Sequence, residues 1–243
     1  MRKLHSLEIQ MDDAECEMAR RCYGYGRWEA PYWFIGPEQG KSRKEPDGNS
    51  RRLEAWLELG ADYLCDCKCF HIKIGDTTRH GEIPKLQSTW RPLILMLMAF
   101  LGKDTKKESL RAYQRDQWGM ESNGETCVIE LSGLAARNLK APIDHTQFRP
   151  ERIEFIRQKL QQYKPAFVIM YGLKDKESWE QIAEHELNSG EPIKINTTIA
   201  VLTPHPVSRG LGDQYWRDLG EKLRLEYSHS LSAAMPAPPS PTR

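Results

Sequence analysis

The chain of 243 residues is 39% hydrophobic and 28% charged, a length and balance that suit one domain with a sizeable core and exclude a disulfide-stapled miniprotein, a fibrous repeat or a wholly disordered chain. Its 35 Lys and Arg against 34 Asp and Glu leave a formal net charge of +1, so any contact with nucleic acid must come from a local patch rather than an overall basic excess. The longest apolar run, 92–102, is about half of the roughly 20 residues a membrane-spanning helix needs. The N-terminus turns acidic with no apolar core before a cleavage-type site, so a cytoplasmic protein that stays off the membrane is expected.

The first element is a short aromatic strand, 32–35, running into a glycine-bounded turn, Gly36-Pro37-Glu38-Gln39-Gly40. After a polar loop, Ser50 is a plausible cap for a helix with Leu53, Trp56 and Leu57 on one face and Gly60 at its end. Residues 62–76, DYLCDCKCFHIKIGD, alternate residue types with period two and read as extended chain. An apolar helix over 92–101 and a polar one over 108–118 lead to a second strand, 127–131. An amphipathic helix over 152–163 is stopped by Pro165. The continuous apolar run 166–171 then has the character of a strand buried on both faces.

A helix over 175–187 and a fourth strand, 195–202, follow, and that strand empties into Thr203-Pro204-His205-Pro206-Val207-Ser208-Arg209-Gly210 before a final helix, 213–226. The tail 229–243 is rich in Pro, Ser and Ala and is expected to be disordered, leaving 1–228 as a single domain. Strand and helix alternation predicts an α/β fold, a three-layer α/β/α sandwich around a central, mostly parallel four-stranded sheet. In such sheets ligands bind beyond the carboxyl ends of the strands, so the loops 36–40 and 203–210 are expected on one rim.

Glu38 brings a carboxylate to that rim, between glycines that let a ligand approach the backbone. His205, framed by two prolines, has little conformational freedom and is aimed at the same place. Lys41, Arg43, Lys44, Arg51 and Arg52, with Arg137, Lys140 and Arg209 beyond later strands, could contact phosphates or simply solvate loops. Trp28, Tyr32, Trp33 and Phe34 are read mainly as core.

The order WFIGPEQG, CVIELSGLAARNL, a helix followed by KPAFVIMYG, and TPHPVSRGLGDQYWRDL resembles the uracil-DNA glycosylase superfamily over roughly residues 32–225. The resemblance implies an enzyme acting on damaged or single-stranded DNA, and the chain is expected to be a monomer. Such an enzyme flips a nucleotide out and hydrolyses the N-glycosidic bond of uracil or another damaged base. Glu38 matches the position that orients or activates water, and His205 the histidine that hydrogen-bonds the departing base. Gly36, Pro37, Gln39, Gly40 and Ser132 would then surround the base. Arg209 or Leu211, with Ser208, would fill the gap left by the flipped nucleotide, and Lys41 and Arg137 would meet the DNA.

The chain departs from that pattern in carrying Glu where the family usually has Asp or Asn, and Gly40 where the uracil-specific branch has Tyr. It also has no Asn near Leu131 and Ser132. A non-catalytic binding module of the same fold, or a hydrolase of free nucleosides, remain as alternatives.

Cys65, Cys67, Cys69 and His71 recur at every second residue. On an extended strand rising about 3.3 Å per residue the outer two lie roughly 20 Å apart, too far to share one zinc, so the trio is read as one small strand face. Cys16, Cys22 and Cys127 added to the trio do not give the paired spacing of an iron–sulfur cluster. No cofactor is expected; an iron–sulfur cluster, or a zinc through Cys65, Cys67 and Cys69 on a sharply folded loop, is the alternative not favoured.

Overall fold

A computed structural model describes residues 13–40, 49–136 and 145–234. In chain order the elements are α1 (Asp13–Arg21), β1 (Gly24–Tyr25), β2 (Tyr32–Gly40), α2 (Ser50–Glu58), β3 (Leu64–Cys65), α3 (Cys67–Lys73), α4 (Trp90–Phe100), α5 (Lys107–Asp116) and β4 (Thr126–Ala136). Then come α6 (Arg149–Tyr163), β5 (Phe167–Tyr171), α7 (Lys176–Ala183), β6 (Ile193–Ile195), β7 (Thr198–Thr203) and α8 (Asp213–Ala234).

The α/β class stands, but the sheet is not the expected four-stranded one: among the described residues it is mixed and has seven strands in the order β3-β1-β4-β2-β5-β7-β6. Its centre, β4-β2-β5-β7, is parallel throughout. Short strands close it on both sides, with β1 antiparallel to β4 and β6 antiparallel to β7. β1, β3 and β6 have only two or three residues, too few for an alternating pattern to register in the sequence.

Side chains of the central strands alternate between two cores, as the two-residue period of a strand requires. Phe34, Val128, Phe167, Ile169 and Val201 pack with α4 and α8 on one face. Trp33, Ile35, Ile129, Val168, Met170 and Ala200 pack with Ile153, Ile156 and Leu160 of α6 and Trp179 and Ile182 of α7 on the other. Arg91 at the start of α4 fastens the start of α8 through a paired bond, Nη1 to Asp213 Oδ1 at 2.7 Å and Nη2 to Oδ2 at 2.5 Å.

Four further expectations change. The segment 62–76 is extended only at β3: Asp66 then accepts the Cys69 N–H at 2.9 Å and so caps α3. The single strand 195–202 is a hairpin, with Asn196 at φ 55° between β6 and β7, a left-handed position that Asn tolerates. The helix expected over 175–187 ends at Ala183, where Glu184 turns left-handed. α8 passes the expected boundary at 228 and continues to Ala234, through Leu and Ala that favour helix. The rest of that tail lies outside the described residues.

Among the described residues no helix is long and apolar enough to cross a membrane.

Candidate functional site at the carboxyl edge of the sheet

The parallel strands β4, β2, β5 and β7 bring their carboxyl ends to one edge, and Glu38 and His205 both stand there. Register places Gly36 beside Glu130 and Glu38 beside Ser132 on β4, while Tyr171 of β5 pairs with Thr203 of β7. The expected turn at 36–40 is the continuation of β2, with an irregularity between Glu38 and Gly40. Gly36 owes its identity to a neighbour: a Cβ there would lie 2.1 Å from the Tyr171 hydroxyl oxygen. The Tyr171 ring passes over that gap and meets His205 edge-on at 5.5 Å between ring centres.

Gly172, at φ 102°, turns the chain out of β5 into a 3-10 turn, Leu173–Asp175, and Pro37 packs beside it. The turn presents Asp175, which accepts from Arg149 Nη1 at 2.8 Å. Asp175 acts on both principal residues. Burial, then the charge of Asp175, raises Glu38 from 4.5 to about 7, with Arg149 opposing. Burial lowers His205 below its ordinary 6.5, with Asp175 opposing. The rim therefore carries a carboxyl group near its midpoint at neutral pH and a neutral imidazole. The Val207 N–H points to His205 Nδ1 at 3.4 Å, a long bond that favours the proton on Nε2.

One acid at this edge was not anticipated. Glu130 is 4% exposed, and its Oε2 has no partner among the described residues. Burial, with the charge of Glu38 adding, raises it from 4.5 to about 8 against Arg152 and Arg52. The signal available in the sequence was a lone carboxylate inside the apolar run CVIEL.

Arg152, 1% exposed on α6, holds the strand behind Glu130. It donates to the carbonyls of Glu130 and Leu131 on β4 at 2.7 and 2.8 Å. It also donates to Ala19, Arg20 and Cys22 at 2.9–3.0 Å, closing the carbonyl end of α1. Its guanidinium stacks 4.0 Å from the Tyr23 ring centre.

The remaining expected residues divide. Pro37 is buried at the rim. The Ser132 hydroxyl bonds back to Leu134 of its own strand, donating to O at 3.1 Å and accepting from N at 3.3 Å, which turns it away from a ligand. Ser208 follows His205 in a tight turn, its N–H donating to the His205 carbonyl at 2.8 Å. Arg209 is exposed. Leu211 packs against the core instead of projecting, whereas Val207, beside His205, is 53% exposed. Gln39 and Gly40 extend β2. Lys41, Arg43, Lys44, Arg137 and Lys140 lie outside the described residues.

The cysteines separate as α3 dictates. All six are free. Cys65 sits in β3 and Cys69 is exposed, so the trio of alternate cysteines is not one face. A helix brings residues four apart together. Cys67 and His71 accordingly meet, and the later His80 joins them in a cluster that could hold a metal ion.

No protein-family model matches the sequence, and no curated protein matches it.

Proposed function

We propose that the chain is a divergent member of the uracil-DNA glycosylase superfamily that hydrolyses the N-glycosidic bond of uracil or another damaged base flipped out of DNA. The observation that supports this best is the edge shared by Glu38 and His205: both feel the charge of Asp175, and Tyr171 bridges the strand of one and the ring of the other. A carboxyl group poised at about 7 suits a base that orients water and takes its proton. As the C1′–N bond breaks, its electron pair passes to the base, and an imidazole N–H of His205 stabilises the negative charge there. Water oxygen bonds to C1′, and its proton leaves through Glu38. Val207 and Arg209, exposed on the loop after His205, take the place of the flipped nucleotide; Leu211 is committed to the core.

The test is cleavage of labelled oligonucleotides carrying uracil, hypoxanthine or a mismatch, single- and double-stranded, by the wild type, Glu38→Gln and His205→Ala. Turnover on at least one substrate is expected, falling about 100-fold or more in each variant. In the wild type it should rise as pH passes about 7, where Glu38 loses its proton. A folded wild type with no turnover on any substrate refutes the reading.

A further inference from the structure

Away from the carboxyl edge, Cys67, His71 and His80 converge beneath Trp90 and Tyr25. We propose that these three residues bind a zinc ion, which fastens the chain after α3 back onto that helix. Each offers one ligand atom, and the three atoms all lie within 4.8 Å of one another. Cys67 Sγ stands 3.9 Å from His80 Nε2. A tetrahedral zinc with bonds of about 2.3 Å to sulfur and about 2.0 Å to nitrogen holds those atoms about 3.5 Å apart. One thiol and two imidazoles also form the donor set that suits zinc over the harder cations.

Two details of the pocket point to a ligand rather than to packing alone. His71 Nδ1 lies 2.7 Å from the Cys67 carbonyl oxygen. A carbonyl only accepts, so Nδ1 carries the proton and the Nε2 lone pair is left for a metal, the arrangement that orients a ligating histidine. His80 is 6% exposed, its Nδ1 has no partner among the described residues, and its Nε2 has only the long contact to sulfur. Burying an imidazole with neither nitrogen well bonded is costly, and a metal bond removes that cost. The ring packing fixes the group: His71 lies 5.2 Å from Trp90 and 5.4 Å from Tyr25, and His80 5.3 Å from His71, between ring centres.

The ion also has a structural task. α3 has only seven residues, and the stretch from it to α4 contains one 3-10 turn, Thr77–Arg79. A bond from His80 to the metal ties this stretch to two ligands on α3. Water takes the fourth tetrahedral position, and binding releases the Cys67 thiol proton to solvent. These residues belong to elements other than the Glu38–His205 edge, so the proposal does not depend on the glycosylase reading.

The purified full-length chain is assayed for metal, stripped with chelator, and titrated with Zn2+ and then Co2+. The expected result is about one zinc per chain. The cobalt form should show a thiolate-to-metal charge-transfer band and the strong visible absorption of a four-coordinate site. Cys69→Ser, two residues away and exposed, keeps both, whereas Cys67→Ser loses the charge-transfer band. His80→Ala weakens zinc binding by about 100-fold or more, beyond the usual cost of losing an outer partner. A folded wild type that takes up no zinc and gives no cobalt band overturns the proposal, and so does an undiminished band in Cys67→Ser. The wild-type spectrum decides even where a variant fails to fold.

Discussion

Replacing Glu130 by Gln should change how stability depends on pH more than it changes stability at any one pH. Burial and the charge of Glu38 raise Glu130 from 4.5 to about 8. Between those values the unfolded chain has lost the proton while the folded chain still holds it, so folding takes up a proton and stability falls as pH rises. Below about 4.5 both states are protonated, and above about 8 both are ionised, so the loss is confined to that window. At about 1.4 kcal/mol per pKa unit the full displacement is worth roughly 5 kcal/mol. Gln has no proton to lose and removes this part of the dependence.

Urea unfolding of the wild type and Glu130→Gln at intervals from about pH 5 to about pH 9 gives the two stability curves. The stability of the variant relative to the wild type should rise by about 1.4 kcal/mol per pH unit through the window and then level off. Any fixed difference in packing or hydrogen bonding displaces the two curves by a constant. Parallel curves would refute the reasoning, because Glu130 would then titrate alike in both states.

Arg152→Met removes bonds to five carbonyls, on β4 and at the end of α1, and should cost about 3–5 kcal/mol by urea unfolding; a loss under about 1 kcal/mol would show that water replaces the guanidinium freely. Gly36→Ala places a methyl 2.1 Å from the Tyr171 hydroxyl oxygen, 2.2 Å from Cζ and 2.6 Å from Cε2. It should cost about 1–3 kcal/mol in the same assay. Adding Tyr171→Phe should not restore it, since the ring carbons remain in the way.

Much of the frame was legible because long elements write strong patterns. The apolar run 166–171 contains β5, and the spacing of Ile153, Ile156 and Leu160 marks the buried side of α6. Glu38 and His205 could be placed on one edge because a parallel sheet brings its strand ends together. The supporting groups were hidden for physical reasons. Arg152 reads as a solvated charge on a helix until the carbonyls of α1 and β4 close around it.

The Cys67 cluster was obscured by a conflict of periods. Cysteines at every second residue imitate a strand, but the Asp66 cap makes the segment helical, and only then does the spacing of four between Cys67 and His71 become meaningful. His80 lies beyond that helix, and nothing local announces its return.

The short strands at the two sides of the sheet bear on how the molecule meets its own copies. Among the described residues β3 offers two residues and β6 three, so a second chain pairing onto either strand would engage only a few main-chain groups. The long apolar strands β2 and β5 lie between neighbours, while β1 pairs with two residues of β4 and β6 with three of β7. Border strands this short limit how far edge-to-edge pairing onto them can run, and they lie apart from the strand ends where Glu38 and His205 stand.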